Sequence, residues 1–120
     1  MKEATILGEE QRIIYGKLVR DQIPQVIEAD GGKAMVRVLD ECEVLPALTA
    51  KLAEEAEELR RAEPHDRLEE LADLYEVLTA LTEALGYSDE EVKEAARHKR
   101  TERGGFRRRL WLDEVRSAER

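Results

Sequence analysis

Two runs of leucine at helical spacing, parted by one proline-containing break, constrain this chain more than any other feature. Leu45, Leu48, Leu52, Ala56 and Leu59 recur with the 3.6-residue period in the first run. Leu68, Leu71, Leu74, Tyr75, Leu78, Leu81 and Leu85 do so in the second, and Glu63-Pro64-His65 lies between them. The pattern predicts two long amphipathic helices, the first from Asp40 or Leu45 to Arg61, the second from Asp66 to Leu85. So short a connection forces neighbouring helices antiparallel. Pro46 leaves two starts open for the first helix, at the proline itself or at an earlier turn that kinks there. Asp66 with Glu69 reads as a capping box for the second, and Gly86 as its C′ residue.

The rest of the chain is helical or irregular by the same signals. Ser88 with Glu91 is a further capping box, opening a helix to Arg103 that Gly104-Gly105 ends. Asp21 is placed to cap a short helix through Ala29, with Pro24 in its first turn, where a missing amide proton is harmless. Met35 to Leu39 alternates like a short strand but has no obvious partner. Residues 1–14 read as a flexible segment and residues 15–115 as a single helical domain, with Leu110, Trp111 and Leu112 as apolar anchors in the tail. Charged residues make up 40% of the chain and aromatics 4%, which favours helices with charged outer faces over a sandwich or barrel. The fold class expected is all-α, an antiparallel helical bundle. The apolar stripes are too extensive for so few helices to cover, so a homodimer or homotetramer is expected to complete it.

Charge and cysteine content narrow the function classes. The single cysteine, Cys42, rules out an internal disulfide and suits a reducing compartment. No signal-peptide core or membrane-length apolar run is visible, so the sequence reads as cytoplasmic with no membrane partner. The net charge of −8 disfavours non-specific nucleic-acid binding. Residues 97–120 carry nine Lys/Arg against four Asp/Glu, so a basic end faces an acidic body. That suits either metal-binding carboxylates opposed to phosphate-binding cations or simply a solvated basic helix end.

Helical phase separates the acidic residues. Advancing about 100° per residue places Glu55 roughly 60° and Glu58 roughly 120° from the first stripe, on one flank, while Glu54 and Glu57 fall on the opposite side. On the second helix Glu70 lies about 80° from the main stripe, in a row continuing through Asp73, Leu74, Val77, Leu81 and Ala84. Asp73 is further round, and phase alone would not select it. Residues three apart on a helix are neighbours, so two such pairs on antiparallel helices can aim four carboxylates at one space. Like charges near a core require protonation, cations or a divalent ion. Oxygen-only donors suit Mg²⁺ or Mn²⁺ rather than zinc. A salt-bridged bundle surface explains the phase equally well.

The motifs add a resemblance. Glu55-x-x-Glu58 and Glu70-x-x-Asp73 resemble the E-x-x-E and E-x-x-D signature of the MazG-like all-α nucleotide pyrophosphohydrolases. The segments YGKLVRDQIP (15–24), KLAEEAEEL (51–59), EELADLYEVLTAL (69–81) and KRTERGGF (99–106) resemble in particular the phosphoribosyl-ATP-pyrophosphohydrolase-like house-cleaning branch. The resemblance implies the all-alpha NTP pyrophosphatase fold, with Glu55, Glu58, Glu70 and Asp73 holding Mg²⁺. It also implies hydrolysis of a nucleoside triphosphate to monophosphate and pyrophosphate. Glu54 is a candidate base or outer ligand, though its phase is against a direct role. Lys99 and Arg103 share a stripe with Val92, Ala95 and Ala96 that places them inward as phosphate clamps. Lys17 and Arg20 are further candidates, with a salt bridge, such as Arg20 to Asp21 or to a neighbouring chain, an equal reading. Two other functions stay open: phosphoribosyl-ATP hydrolysis, and a non-catalytic helical dimerisation or adaptor module.

Overall fold

The computed structural model describes residues 11–117, and over these it is all-helical, with no strand. The flexible segment expected over 1–14 lies mainly in residues 1–10, outside the described residues; 11–14 carry no regular secondary structure. The helices are α1 (Ile23–Ala29), α2 (Glu41–Arg61), α3 (Arg67–Ala84) and α4 (Asp89–Arg103), with a 3₁₀ turn at Pro64–Asp66 between α2 and α3. Met35 to Leu39 carries no regular secondary structure, so the short strand does not form.

Helix ends follow the local chemistry, with two departures. The α1 cap is Gln22 rather than Asp21, and no side chain bonds the free amides there. At the other end of α1, Gly31 takes φ +94°, with Gly31 N–H donating to Glu28 O and Gly32 N–H to Ile27 O. That is the paired 5→2 and 6→1 pattern a left-handed residue closes most easily. Gly86 ends α3 in the same way, at φ +84°, with the Tyr87 amide reaching Thr82 O. The Asp66–Glu69 capping box does not form, because Asp66 is already helical (φ −101°, ψ −6°) as the last residue of the 3₁₀ turn. The Ser88–Glu91 box does form: Ser88 N–H donates to Glu91 Oε1 at 2.8 Å and Glu91 N–H to Ser88 Oγ at 3.1 Å. Helix α2 begins at Glu41 and runs through Pro46. Its start is held by Glu43, whose carboxylate accepts from the Asp40 amide and from the Arg37 guanidinium fork.

The packed unit is the antiparallel pair α2–α3. Its core is Leu48, Val77 and Leu81, flanked by Leu18, Val44, Leu52 and Ala80. Leu48 near the start of α2 meets the second half of α3, while Glu55 further along meets the first half, as opposed directions require. The face α3 turns to α2 is the row Glu70, Asp73, Leu74, Val77 and Leu81, not the longer leucine stripe. Leu68, Leu71, Tyr75, Leu78 and Leu85 of that stripe are exposed. Helix α4 touches α3 only sparsely and every one of its residues is exposed. The inward placement of Lys99 and Arg103 therefore does not occur within this chain. Leu110, Trp111 and Leu112 likewise anchor nothing here, Trp111 being 87% exposed. A radius of gyration of 21.0 Å and a longest extent of 78 Å contrast with about 13 Å for the radius of a compact domain of 100 residues.

Candidate metal centre

The α2–α3 seam brings three carboxylates together. One oxygen each from Glu55, Glu70 and Asp73 lies within 4.8 Å of the others. Glu55 is the one charged residue buried among the described residues, 8% exposed, because it lies on the flank of α2 that meets α3. Glu70 and Asp73 are half-buried, one turn apart on the α3 row that faces it. Glu58 is exposed and outside the trio, although its charge reaches Glu70. The fourth carboxylate that the motif pair suggested therefore stands at the edge of the cluster. Burial first, then the charges of Asp73, Glu58, Glu55 and Asp66, push the Glu70 carboxyl above the ordinary range. The seam thus holds more negative charge than its own cations offset.

The donor set fits a hard divalent ion. Neighbouring oxygens on a Mg²⁺ octahedron, each at about 2.1 Å, lie about 3 Å apart, so the three side chains, whose oxygens lie no more than 4.8 Å apart, would have to close in by up to about 1.8 Å to share one ion. No histidine or cysteine belongs to the group, which removes the softer donors zinc would use.

Two cations reach the same seam from the irregular segment before α1. Lys17 Nζ donates to Glu54 Oε2 at 2.7 Å, and Arg20 Nη2 donates to Asp73 Oδ1 at 2.7 Å. Leu18 packs against the core between them, which fixes the segment across the mouth of the cluster. Phase reading put Glu54 on the solvent side of α2; the Lys17 segment instead crosses it and leaves it half-buried. The Lys17 hydrogen bond, then the nearby Lys51 charge, holds the Glu54 carboxyl below its ordinary range. That bond to Glu54, with the charges of Glu54, Glu55 and Glu58, raises Lys17. Lys17 also lies 5.9 Å from the centre of the Tyr15 ring. Glu57, by contrast, is a surface charge as expected, paired with Arg60 and Arg61.

Lys51 is a further cation of the seam that the sequence reading does not single out. Its side chain is only 16% exposed and its Nζ lies 3.5 Å from Glu54 and 3.4 Å from Glu55. The available signal was its spacing, three and four residues ahead of the two glutamates. A cavity of about 130 Å³ opens beside it, lined by Gly16, Lys17, Leu18, Ala47, Ala50 and Glu54. Lys99 and Arg103 make no ion pair among the described residues and stand on α4, away from the seam. Arg20 forms an ion pair, as the salt-bridge reading allowed, with Asp73 rather than with Asp21.

Among the described residues no helix is long and apolar enough to cross a membrane. No family model matches the chain. An uncharacterized protein of Mycolicibacterium smegmatis (strain ATCC 700084 / mc(2)155) is 48% identical over 50 residues, which span 42% of this chain and 51% of that protein. No solved structure matches.

Proposed function

We propose that this chain is a Mg²⁺-dependent nucleoside triphosphate pyrophosphohydrolase, releasing nucleoside monophosphate and pyrophosphate. The observation that carries the reading is the convergence of Glu55, Glu70 and Asp73 from two helices within 4.8 Å, beside Lys17, Arg20 and Lys51. Carboxylates gathered with too few counter-charges need a cation, and cations at the rim suit a polyphosphate. The motif resemblance supplies the reaction class.

In this reading Glu55, Glu70 and Asp73 hold the ion, with Glu58 at the edge of the cluster able to join through water. A divalent ion there supplies charge neutralisation and a more acidic water. The chain's own residues then position the substrate. Lys17, Lys51 and Arg20 face the phosphates, and water attacks the α-phosphorus and gives up a proton to solvent, while the bond to the bridging oxygen breaks and pyrophosphate leaves. Positioning and electrostatics carry much of such a transfer. Glu54, held below the ordinary carboxylate range by two ammonium groups, is a poor proton acceptor and serves to place Lys17 and Lys51.

A homodimer or larger assembly belongs to the same reading. The uncovered stripe Leu68, Leu71, Tyr75, Leu78 and Leu85, together with the exposed α4, offers the surface a second copy would cover. Such pairing would also give Lys99 and Arg103 a route to an acidic cluster. Cytoplasmic residence fits the single cysteine.

Incubating the protein with a panel of ordinary and modified (d)NTPs and Mg²⁺ tests the proposal. Pyrophosphate release is expected from at least one nucleotide, with loss in Glu55→Ala and Asp73→Ala. Absence of pyrophosphate across the panel, or rates unchanged in both variants, overturns it.

A further inference from the structure

Asp73 has two claims on one carboxylate. It belongs to the trio with Glu55 and Glu70, and its Oδ1 also accepts from Arg20 at 2.7 Å. Building on the metal reading above, we propose that Arg20 is a resident competitor of the divalent ion for Asp73. When the ion binds, Arg20 is displaced and its guanidinium is freed for the phosphates of the nucleotide.

The geometry sets up the exchange. The Arg20 and Asp73 side chains are 55% and 39% exposed, so the pair sits in high dielectric and is weak enough to be outbid by a doubly charged ion. The ion would bring two positive charges to within a few ångströms of the guanidinium, and the two repel. Release of Arg20 need not release its segment. Lys17 stays on Glu54, which lies outside the trio, and Leu18 stays on the core. Downstream, the Ile23 amide donates to the Arg20 carbonyl and ties the backbone to α1. The side chain can therefore swing while its Cα remains at the mouth of the site. A freed guanidinium has five donors in a fork that matches phosphate oxygens. Without metal the arginine partly neutralises the cluster, and with metal it becomes a phosphate ligand. The exchange thus couples ion binding to nucleotide binding.

An alternative geometry predicts the opposite sign. If Asp73 gave one oxygen to the ion and kept Arg20 on the other, Arg20 would orient the ligand and support metal affinity.

Titrating the full chain with Mn²⁺ under calorimetry separates the two. Arg20→Gln is expected to bind Mn²⁺ about twofold to fivefold more tightly than wild type, the range an exposed ion pair is worth. Arg97→Gln, which removes the same charge from the Glu94 pair on α4, is expected to leave the affinity unchanged. With Mn²⁺ saturating, Arg20→Gln is expected to bind an α,β-methylene nucleoside triphosphate more weakly than wild type. Equal or weaker Mn²⁺ binding by Arg20→Gln, while Asp73→Asn still loses the ion, overturns the competition and leaves the metal site standing. Equal Mn²⁺ binding by wild type and Asp73→Asn overturns both.

Discussion

Replacing Glu55 by glutamine removes one negative charge from the seam while nearly keeping its shape, and the consequence is readable in thermal stability. Suppose Mg²⁺ is supplied at a hundred times its dissociation constant and binds only the folded chain. Linkage then adds about 2.7 kcal/mol, or about 10–20 °C in Tm for a domain of this size. Glu55 is the buried member of the trio, so little solvent screens its contribution. A full charge about 2.1 Å from a divalent ion is worth about 4 kcal/mol even at the dielectric constant of water. A hundredfold loss of affinity, about 2.8 kcal/mol, is therefore a conservative expectation. At the same Mg²⁺ concentration the variant then sits near its own dissociation constant and gains only about 0.4 kcal/mol, or about 2–3 °C. Differential scanning fluorimetry of both proteins, with EDTA and with Mg²⁺, reads the difference directly. A Mg²⁺-dependent gain of equal size in wild type and Glu55→Gln would refute the reasoning, as would no gain in wild type.

Other perturbations probe the remaining parts of the account. Leu81→Ala, in a buried core of three residues, is expected to cost about 2–5 kcal/mol and to unfold the α2–α3 pair in urea titration. Leu78→Asp, on the uncovered α3 stripe, is expected to leave helix content unchanged by circular dichroism and to convert a dimer to monomer in sedimentation equilibrium; a monomeric wild type contradicts the proposed pairing. Lys17→Ala is expected to cost at most about 1 kcal/mol at neutral pH. The sign with pH follows from Glu54: its carboxyl is lowered in the fold, so its stabilisation is present above the ordinary value of 4.5 and fades as pH falls through the depressed value. Wild type and Lys17→Ala should therefore converge in stability on acidification below that value, and a gap that widens there counts against the pair. Glu70 has the opposite sign. Its carboxyl is raised, so the ionised form weakens the fold once pH rises through the raised value. Glu70→Gln should accordingly raise the Tm in EDTA at pH 7 and leave it little changed near pH 4, and a lower Tm at pH 7 argues against the crowded charge.

Much of this arrangement is legible in the residues. Leucine period and the break at Glu63-Pro64-His65 gave the α2–α3 hairpin, and Gly86 and Gly104 gave two helix ends, because those signals are local. Phase also placed Glu55 on the flank of α2 that meets the core, where it is buried. It failed for Asp73 because α3 is apolar on two sides. The longer leucine stripe looked like the core face, whereas the row of Glu70, Asp73, Val77 and Leu81 is the one that meets α2. The inward placement of Lys99 and Arg103 is not met within the chain for a related reason: an amphipathic stripe shows that a helix wants a partner, not whether that partner lies in the same chain. Glu54 escaped because its burial comes from a segment more than thirty residues away, through the Lys17 ion pair, and no periodicity encodes such a contact. The absent Asp66 cap shows a short connection overriding a local motif, since the 3₁₀ turn spends the residue's φ and ψ before the helix begins.

Diffraction from crystals soaked in Mn²⁺, collected where manganese scatters anomalously, bears most directly on the central claim. The account predicts an anomalous peak within about 2.2 Å of one oxygen each from Glu55, Glu70 and Asp73. A map with no peak between α2 and α3, with Asp73 still paired to Arg20 and Glu55 to Lys51, contradicts it.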